Sequence, residues 1–344
     1  MKRITALISA AVVCAATGFF TVGTLAGGGL SAQPADCVPF HESFKQAQLR
    51  FSMAMGKDSI GSVYITDERM ISRHSGYAAD VVHENLETVK TYAASCAVPF
   101  LFAAAPTAGG IYEDTIAAGA QQASEKILLD TAASEAGSGI TWIDLYNPMY
   151  AVRDSYIYYR TDRRWTSYGA FCAYKTVIRK LGFSNLGISD FVFEHFDSKF
   201  RGDLYALTKY DGVEADVVDV YTCPNGAKVQ TITAPNSGNT YEALARTDTA
   251  DSGYAVFVPE LESVLDITTN VHNNKRILVL CDSYGSCFAT FLTQHFRDIT
   301  LVNLKKAQSN EAKALEPNSY DEVLLLCSAD LIASKDGFKA LRTE

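Results

Sequence analysis

From Gly61 onward the chain alternates short, solidly apolar runs with longer stretches in which apolar residues recur at helical spacing. Gly61-Ser62-Val63-Tyr64-Ile65 and Met70-Ile71 flank the polar Thr66-Asp67-Glu68-Arg69 and predict a hairpin. Asp80 to Ser95 spaces Val81, Val82, Leu86 and Val89 as one helix face, and Val98 to Ala103 is an unbroken apolar run suited to a strand covered on both sides. An Ala-rich helix is expected around Ala117 to Ala133, a strand over Ile140 to Asp144, and a helix from Thr166 to Leu181 capped by Thr166 or Ser167. Between about Asp190 and Asn270 the texture changes to β-branched and aromatic runs broken by Asn, Gly and Pro, which predicts a β-rich insertion (190–270) within one domain. The alternation then resumes: strand Ile277 to Leu280, helix Tyr284 to Phe296, strand Ile299 to Val302, a short helix near Ala312 and strand Glu322 to Leu326. Strands alternating with helices imply an α/β protein with a doubly wound sheet and right-handed crossovers.

The first residues differ in kind. Lys2 and Arg3 precede an uncharged run from Ile4 to Leu25, about the roughly 20 residues a bilayer-spanning helix needs. Basic residues ahead of the run leave the bulk of the chain outside the cytoplasm. Residues 1–35 therefore read as a signal peptide or a membrane anchor: Ser31-Ala32-Gln33 offers a cleavage site, while the length of the run suits retention. Cys14, mid-run behind Val13, lacks the setting of a lipoprotein cysteine. Residues 36–344 form the remaining domain. A net charge of -9 argues against nucleic acid as a partner, since phosphate backbones are bound by clustered Lys and Arg. With 48% hydrophobic and 20% charged residues the chain has the composition of an ordinary folded protein. Seven cysteines follow Cys14, an odd number with no Cys-x-x-Cys pair, and Cys172, Cys281 and Cys327 sit in apolar segments as small buried hydrophobes do.

Candidate chemistry concentrates in two places. Arg276 to Cys281 reads as a buried strand, and Asp282-Ser283-Tyr284-Gly285 as a turn that presents Ser283 at the mouth of a helix. A serine so placed has an exposed hydroxyl and backbone N–H groups ready for a developing oxyanion, although an ordinary helix-capping serine gives the same pattern. The second place is Tyr158-Tyr159-Arg160-Thr161-Asp162-Arg163-Arg164-Trp165-Thr166, just ahead of a helix.

That stretch, with Gly169-Ala170 and Ala173-Tyr174, resembles the DHHW family of exported bacterial proteins. The likeness extends to Gly61 to Ile65, to Ala105-Pro106-Thr107 with Ile111-Tyr112, and to Asp282 to Gly285 with Phe288 and Phe291-Leu292. The family is similar to SGNH hydrolases and to exported alginate O-acetyltransferases. The resemblance implies a three-layer α/β/α sandwich of the SGNH type and a Ser-His-Asp mechanism without metal or cofactor. Carried over by position, Ser283 is the nucleophile, Asp162 the orienting acid, and the base falls on Arg164. Arg163 replaces the first histidine of the motif, and Ser286 stands where the family often has Asn.

A guanidinium stays protonated and cannot accept the serine's proton. Of the six histidines, His295 lies roughly 18 Å along the helix from Ser283, His272 precedes the serine-bearing strand, and His195 sits in the β-rich stretch, where it reads as a surface or edge-strand residue. His41, His74 and His83 complete the set. Arg164 is expected to pair with Asp162; the other reading gives Arg163 and Arg164 an anionic ligand at the helix N-terminus. Two functions stay open: acyl transfer or ester hydrolysis on cell-envelope polysaccharide beside a membrane-bound O-acyltransferase, or a catalytically silent glycan-binding or scaffold homologue. No His-x-x-x-His, Gly-rich phosphate loop or calcium loop is present.

Overall fold

The computed structural model describes residues 41–247, 253–308, 311 and 315–342. The apolar run at residues 4–25, Cys14, Cys37, the possible cleavage site and the short helix expected near Ala312 lie outside the described residues. No described helix is long and apolar enough to cross a membrane. The chain divides into two units. The smaller joins α1 (His41–Ala54) to residues 209–212, with the Gln46 amide on the Lys209 carbonyl and Arg50 3.1 Å from Asp211. Helix α1 was not legible in the sequence because its Phe44 and Phe51 are exposed, so no apolar face marks it.

The larger unit begins with β1 (Ser59–Ile60), β2 (Val63–Ile65) and β3 (Met70–Ser72), an antiparallel sheet in which β2 and β3 are the expected hairpin. Helix α2 (Ala79–Ala94) leads to β4 (Phe100–Ala105), short helix α3 (Ala108–Ile111), α4 (Glu125–Glu135), β5 (Thr141–Asp144), α5 (Tyr146–Tyr150) and α6 (Ser167–Lys180). The helix expected around Ala117 starts only at Glu125. Residues 116–124 are irregular, because Tyr64 and His74 bond to the Gln121 carbonyl and the Gln122 side chain there. Thr166 caps α6, its hydroxyl accepting from the Gly169 N–H at 3.1 Å.

Next come β6 (Val192–Phe200), α7 (Asp203–Thr208), β7 (Asp216–Thr222), β8 (Val229–Ala234), β9 (Asn239–Tyr241) and β10 (Val264–Thr269). They split two ways: β6 and β7 form their own antiparallel pair, while β8, β9 and β10 extend the central sheet. The rest is β11 (Arg276–Cys281), α8 (Gly285–Leu292), β12 (Asp298–Asn303), β13 (Glu322–Ser328) and α9 (Ala329–Ala333).

The central sheet runs β5-β4-β13-β11-β12-β10-β8-β9, parallel from β5 to β12 and antiparallel beyond. Strand residues alternate between two cores, as the two-residue pleat requires. Ile277, Val279, Leu324 and Leu326 pack with α6 and α8, whereas Leu278, Leu280, Val323 and Leu325 pack with α2, α4 and α9. Helices therefore cover both faces of the sheet, a three-layer α/β/α sandwich. Two features position the site. The chain leaves β11 for β12 on one side and then crosses to β13 on the other, so the strand order reverses at β11, where open α/β sheets hold their ligands. At the end of β11, Gly285 lets α8 approach the strand, since a Cβ there would lie 2.3 Å from the Cys281 sulfur. Gly285→Ala is expected to cost about 1–3 kcal/mol through overpacking, measured by urea unfolding.

Candidate active site

Ser283 lies two residues past the end of β11 and stands before α8, half-buried, and among the described residues no hydrogen bond reaches its hydroxyl. The turn that carries it is held from three sides. Asp282 accepts from the Tyr284 N–H at 3.0 Å and from the Ser328 N–H and hydroxyl at 3.0 and 2.6 Å. Tyr254 donates its hydroxyl to the Ser283 carbonyl at 3.2 Å. Trp165, fully buried, donates to the Tyr284 carbonyl at 3.0 Å, and the Tyr284 hydroxyl returns a 2.8 Å bond to the Arg163 carbonyl. The motif around Asp162 and the serine turn are thereby one structure.

Asp162 is wholly buried and its carboxylate is saturated. One oxygen accepts from the Arg164 N–H at 3.0 Å and Nε at 2.7 Å; the other accepts from Arg164 Nη2 at 2.7 Å and the Asp203 N–H at 3.1 Å. Burial alone would raise this carboxyl, but the Arg164 charge and these bonds outweigh it and hold Asp162 below the usual carboxylate range. A carboxylate has room for about four such bonds, so nothing remains to orient a histidine. The Arg164 guanidinium lies 4.1 Å from the Tyr254 ring centre and 3.4 Å from Glu260. Burial opposes its charge, yet Asp162 and Glu260 raise its pKa further. Glu260, pushed up by burial and held back by Arg164, accepts the Ser286 hydroxyl at 2.6 Å. Asp162, Arg164, Glu260 and Ser286 thus form a continuous bonded chain.

The pairing of Arg164 with Asp162 expected from the sequence is present. Arg163 contacts Asp203, so both guanidiniums of the motif are committed to carboxylates of the chain. The loop itself is pinned by a second saturated carboxylate, Asp216, which accepts from the Arg160 and Thr161 N–H groups at 2.6 and 2.8 Å, from the Tyr156 hydroxyl at 2.5 Å and from the Thr161 hydroxyl. Gly202 allows the close approach: a Cβ there would sit 2.2 Å from the Asp162 Cβ.

None of the histidines weighed from the sequence joins Ser283. His295 is buried against the Tyr174 hydroxyl at 2.6 Å, and burial pushes its pKa down to about 4. His195 is exposed on β6 beside Asp219 at 2.5 Å, and His272 lies before β11, at the end opposite the serine. A cleft of about 570 Å3 lined by Asp67, Arg69, Tyr112, Arg153, Tyr156 and Arg160 includes neither Ser283 nor Asp162. Glu260, Asp203, Asp216 and Tyr254 were missed by sequence reading because each acts across the fold with no local motif.

Replacing Arg164 leaves the Asp162 charge buried without its partner. Arg164→Met is expected to lose about 3 kcal/mol or more. In the native protein Asp162 contributes stability above the ordinary carboxylate range that is lost as pH falls toward its depressed value. In the variant burial dominates and the carboxyl is raised, so acidification restores stability. The gap between variant and native protein should narrow between about pH 7 and 5 in denaturant titrations; a gap independent of pH contradicts this assignment.

Comparison with known proteins agrees with the architecture. The structure is similar to a DHHW family protein from Eubacterium siraeum, with 20% identity, a TM-score of 0.68, and 80% of this chain and 94% of that one covered. It is also similar to Bacillus cereus PatB1 bearing a sulfonyl adduct, with 16% identity, a TM-score of 0.67, and coverage of 80% and 97%. The O-acetyltransferase domain of Pseudomonas putida AlgJ aligns with 14% identity, a TM-score of 0.51, and coverage of 80% and 93%. A search of curated proteins finds no significant match. The family model of the DHHW proteins matches residues 50–302, with Asp162, Trp165 and Ser283 inside that span, and the chain belongs to the DHHW family.

Proposed function

We propose that this protein moves acyl groups, acetyl being the simplest, onto or off hydroxyls of cell-envelope polysaccharide outside the cytoplasm, with Ser283 as nucleophile. The observation that carries this is the Ser283 hydroxyl, unbonded among the described residues, at the carboxyl end of β11, where the strand order reverses and α8 begins. The O-acetyltransferase domain with the same fold supports the class of reaction. A membrane-bound O-acyltransferase is a fitting source of the acyl group, and residues 1–35, as leader or anchor, would bring the domain to it.

Ser283 attacks the carbonyl carbon of an acyl ester, the former alcohol leaves with a proton, and the acyl-serine passes its group to a sugar hydroxyl or to water. In this scheme Asp162 and Arg164 do not exchange protons. Their ion pair fixes the loop that carries Trp165 against the serine turn and, through Glu260, holds Ser286. A silent glycan-binding or scaffold role is the second reading, favoured by one observation: the position the family gives its base is filled by an arginine locked to Asp162.

Hydrolysis of a small acetyl ester by the protein lacking residues 1–35 separates the two. Ser283→Ala should lower turnover about 10³-fold or more if the serine is the nucleophile. Equal background rates in both proteins would favour the silent reading.

A further inference from the structure

The scheme above lacks a base, and among the described residues His74 is the histidine that contacts an acid just past β13, the strand beside β11. Strand β13 lies beside β11 with Cys281 opposite Leu326. Continuing that register brings the Ser283 turn alongside Ser328, about one strand spacing of 4.8 Å away. Ser328 starts α9, and its N–H and hydroxyl both bond to Asp282. Two residues on, Asp330 meets His74, with Nε2 and Oδ1 3.1 Å apart though off the line of a hydrogen bond.

His74 follows β3, and its main chain is fixed by the Gln122 side chain at 3.0 Å and the Ala123 N–H at 2.6 Å. Its ring stacks on Tyr77 at 5.7 Å between centres, and among the described residues nothing bonds to Nδ1. The circle closes on the other side, because Tyr284, next to Ser283, bonds to the Arg163 carbonyl, and the Arg163 charge is felt by both His74 and Asp330. We propose that His74, held by Asp330, is the base that takes the proton of Ser283, a task the motif position 164 cannot perform in this chain.

The proposal rests on the acyl-transfer reading. With Nε2–H facing Asp330, neutral His74 has its lone pair on Nδ1. It accepts the Ser283 proton, directly or through one water, as the serine oxygen bonds to the ester carbon and the carbonyl pair moves onto oxygen. Collapse of that intermediate breaks the bond to the alcohol, which leaves with the proton from His74. The acceptor hydroxyl or water then runs the same steps in reverse. The groups facing His74 set its titration. The contact with Asp330 raises it most, burial opposes, the charges of Asp330 and Glu125 raise it and Arg163 lowers it, with a net rise above the ordinary value of about 6.5. Glu125 on α4, fully buried and bonded to the Thr107 N–H at 2.8 Å, is pushed up to about 7 by burial and by Asp330.

The test is the pH profile of acetyl-ester turnover (kcat/KM) in the native protein, Ser283→Ala, His74→Gln, Asp330→Asn and the surface control His195→Gln. The expected native profile rises through an imidazole ionisation above pH 6.5. His74→Gln should fall about 10⁴-fold and lose that step, and Asp330→Asn should keep the step at a lower pH while circular dichroism shows an intact fold. His195→Gln should match the native protein. If Ser283→Ala abolishes turnover while His74→Gln retains it, or if Asp330→Asn leaves the midpoint in place, His74 is not the base. If Ser283→Ala changes nothing, the acyl-transfer reading fails first.

Discussion

The buried bidentate pair of Asp162 and Arg164 organises this molecule. Each side chain is acceptable in the interior only because of the other. A lone carboxylate at a position with no exposure would take up a proton, and a lone guanidinium would be expelled toward solvent. Together they fix the loop that sets Trp165 on the Tyr284 carbonyl, and they hold Glu260, which in turn holds Ser286 at the start of α8. A histidine at 164 would have left Asp162 free to orient a base. The arginine commits that carboxylate to structure, so the pair acts as a brace.

What the brace supports is set by topology. Parallel strands β4, β13, β11 and β12 all end at one edge, and each hands over to a polar group: Thr107, Ser328, Asp282 and Asn303. Carboxylates gather there because backbone N–H groups and hydroxyls at strand ends and helix starts satisfy them. Asp282 is held by Ser328 and Glu125 by Thr107. That end of the sheet thus holds buried, bonded titratable groups, and among the described residues no hydrogen bond reaches the Ser283 hydroxyl beyond β11.

The alternation of apolar runs and helical spacing made the layers legible, since strands covered on both faces must be apolar throughout, as Phe100 to Ala105 is. As candidates, Ser283 and Asp162 stood out for local reasons, one from its strand-turn-helix setting and the other from its motif. The exposed helix α1 carried no apolar stripe, and the apolar residues near Ala117 proved irregular because Gln121 and Gln122 serve the hairpin instead of a helix. Glu260, Asp216 and Asp330 each meet partners far along the chain, so nothing beside them in sequence announces the contact. His74 was visible as a residue but not as a neighbour of Asp330. Asp282 just past β11 and Asp330 just past β13, acids beyond the ends of adjacent apolar strands, are a signal in the sequence that could have pointed to that edge.

The proposed reaction passes through an acyl group on Ser283. Rapid quenching of the protein during turnover of an acetyl ester, followed by peptide mapping with mass spectrometry, reads this directly. The expected result is acetyl on the hydroxyl of Ser283, accumulating when the acceptor is withheld and released when a saccharide acceptor is added. An unmodified Ser283 under conditions where ester is consumed, or a label only on surface lysines and histidines, would contradict it.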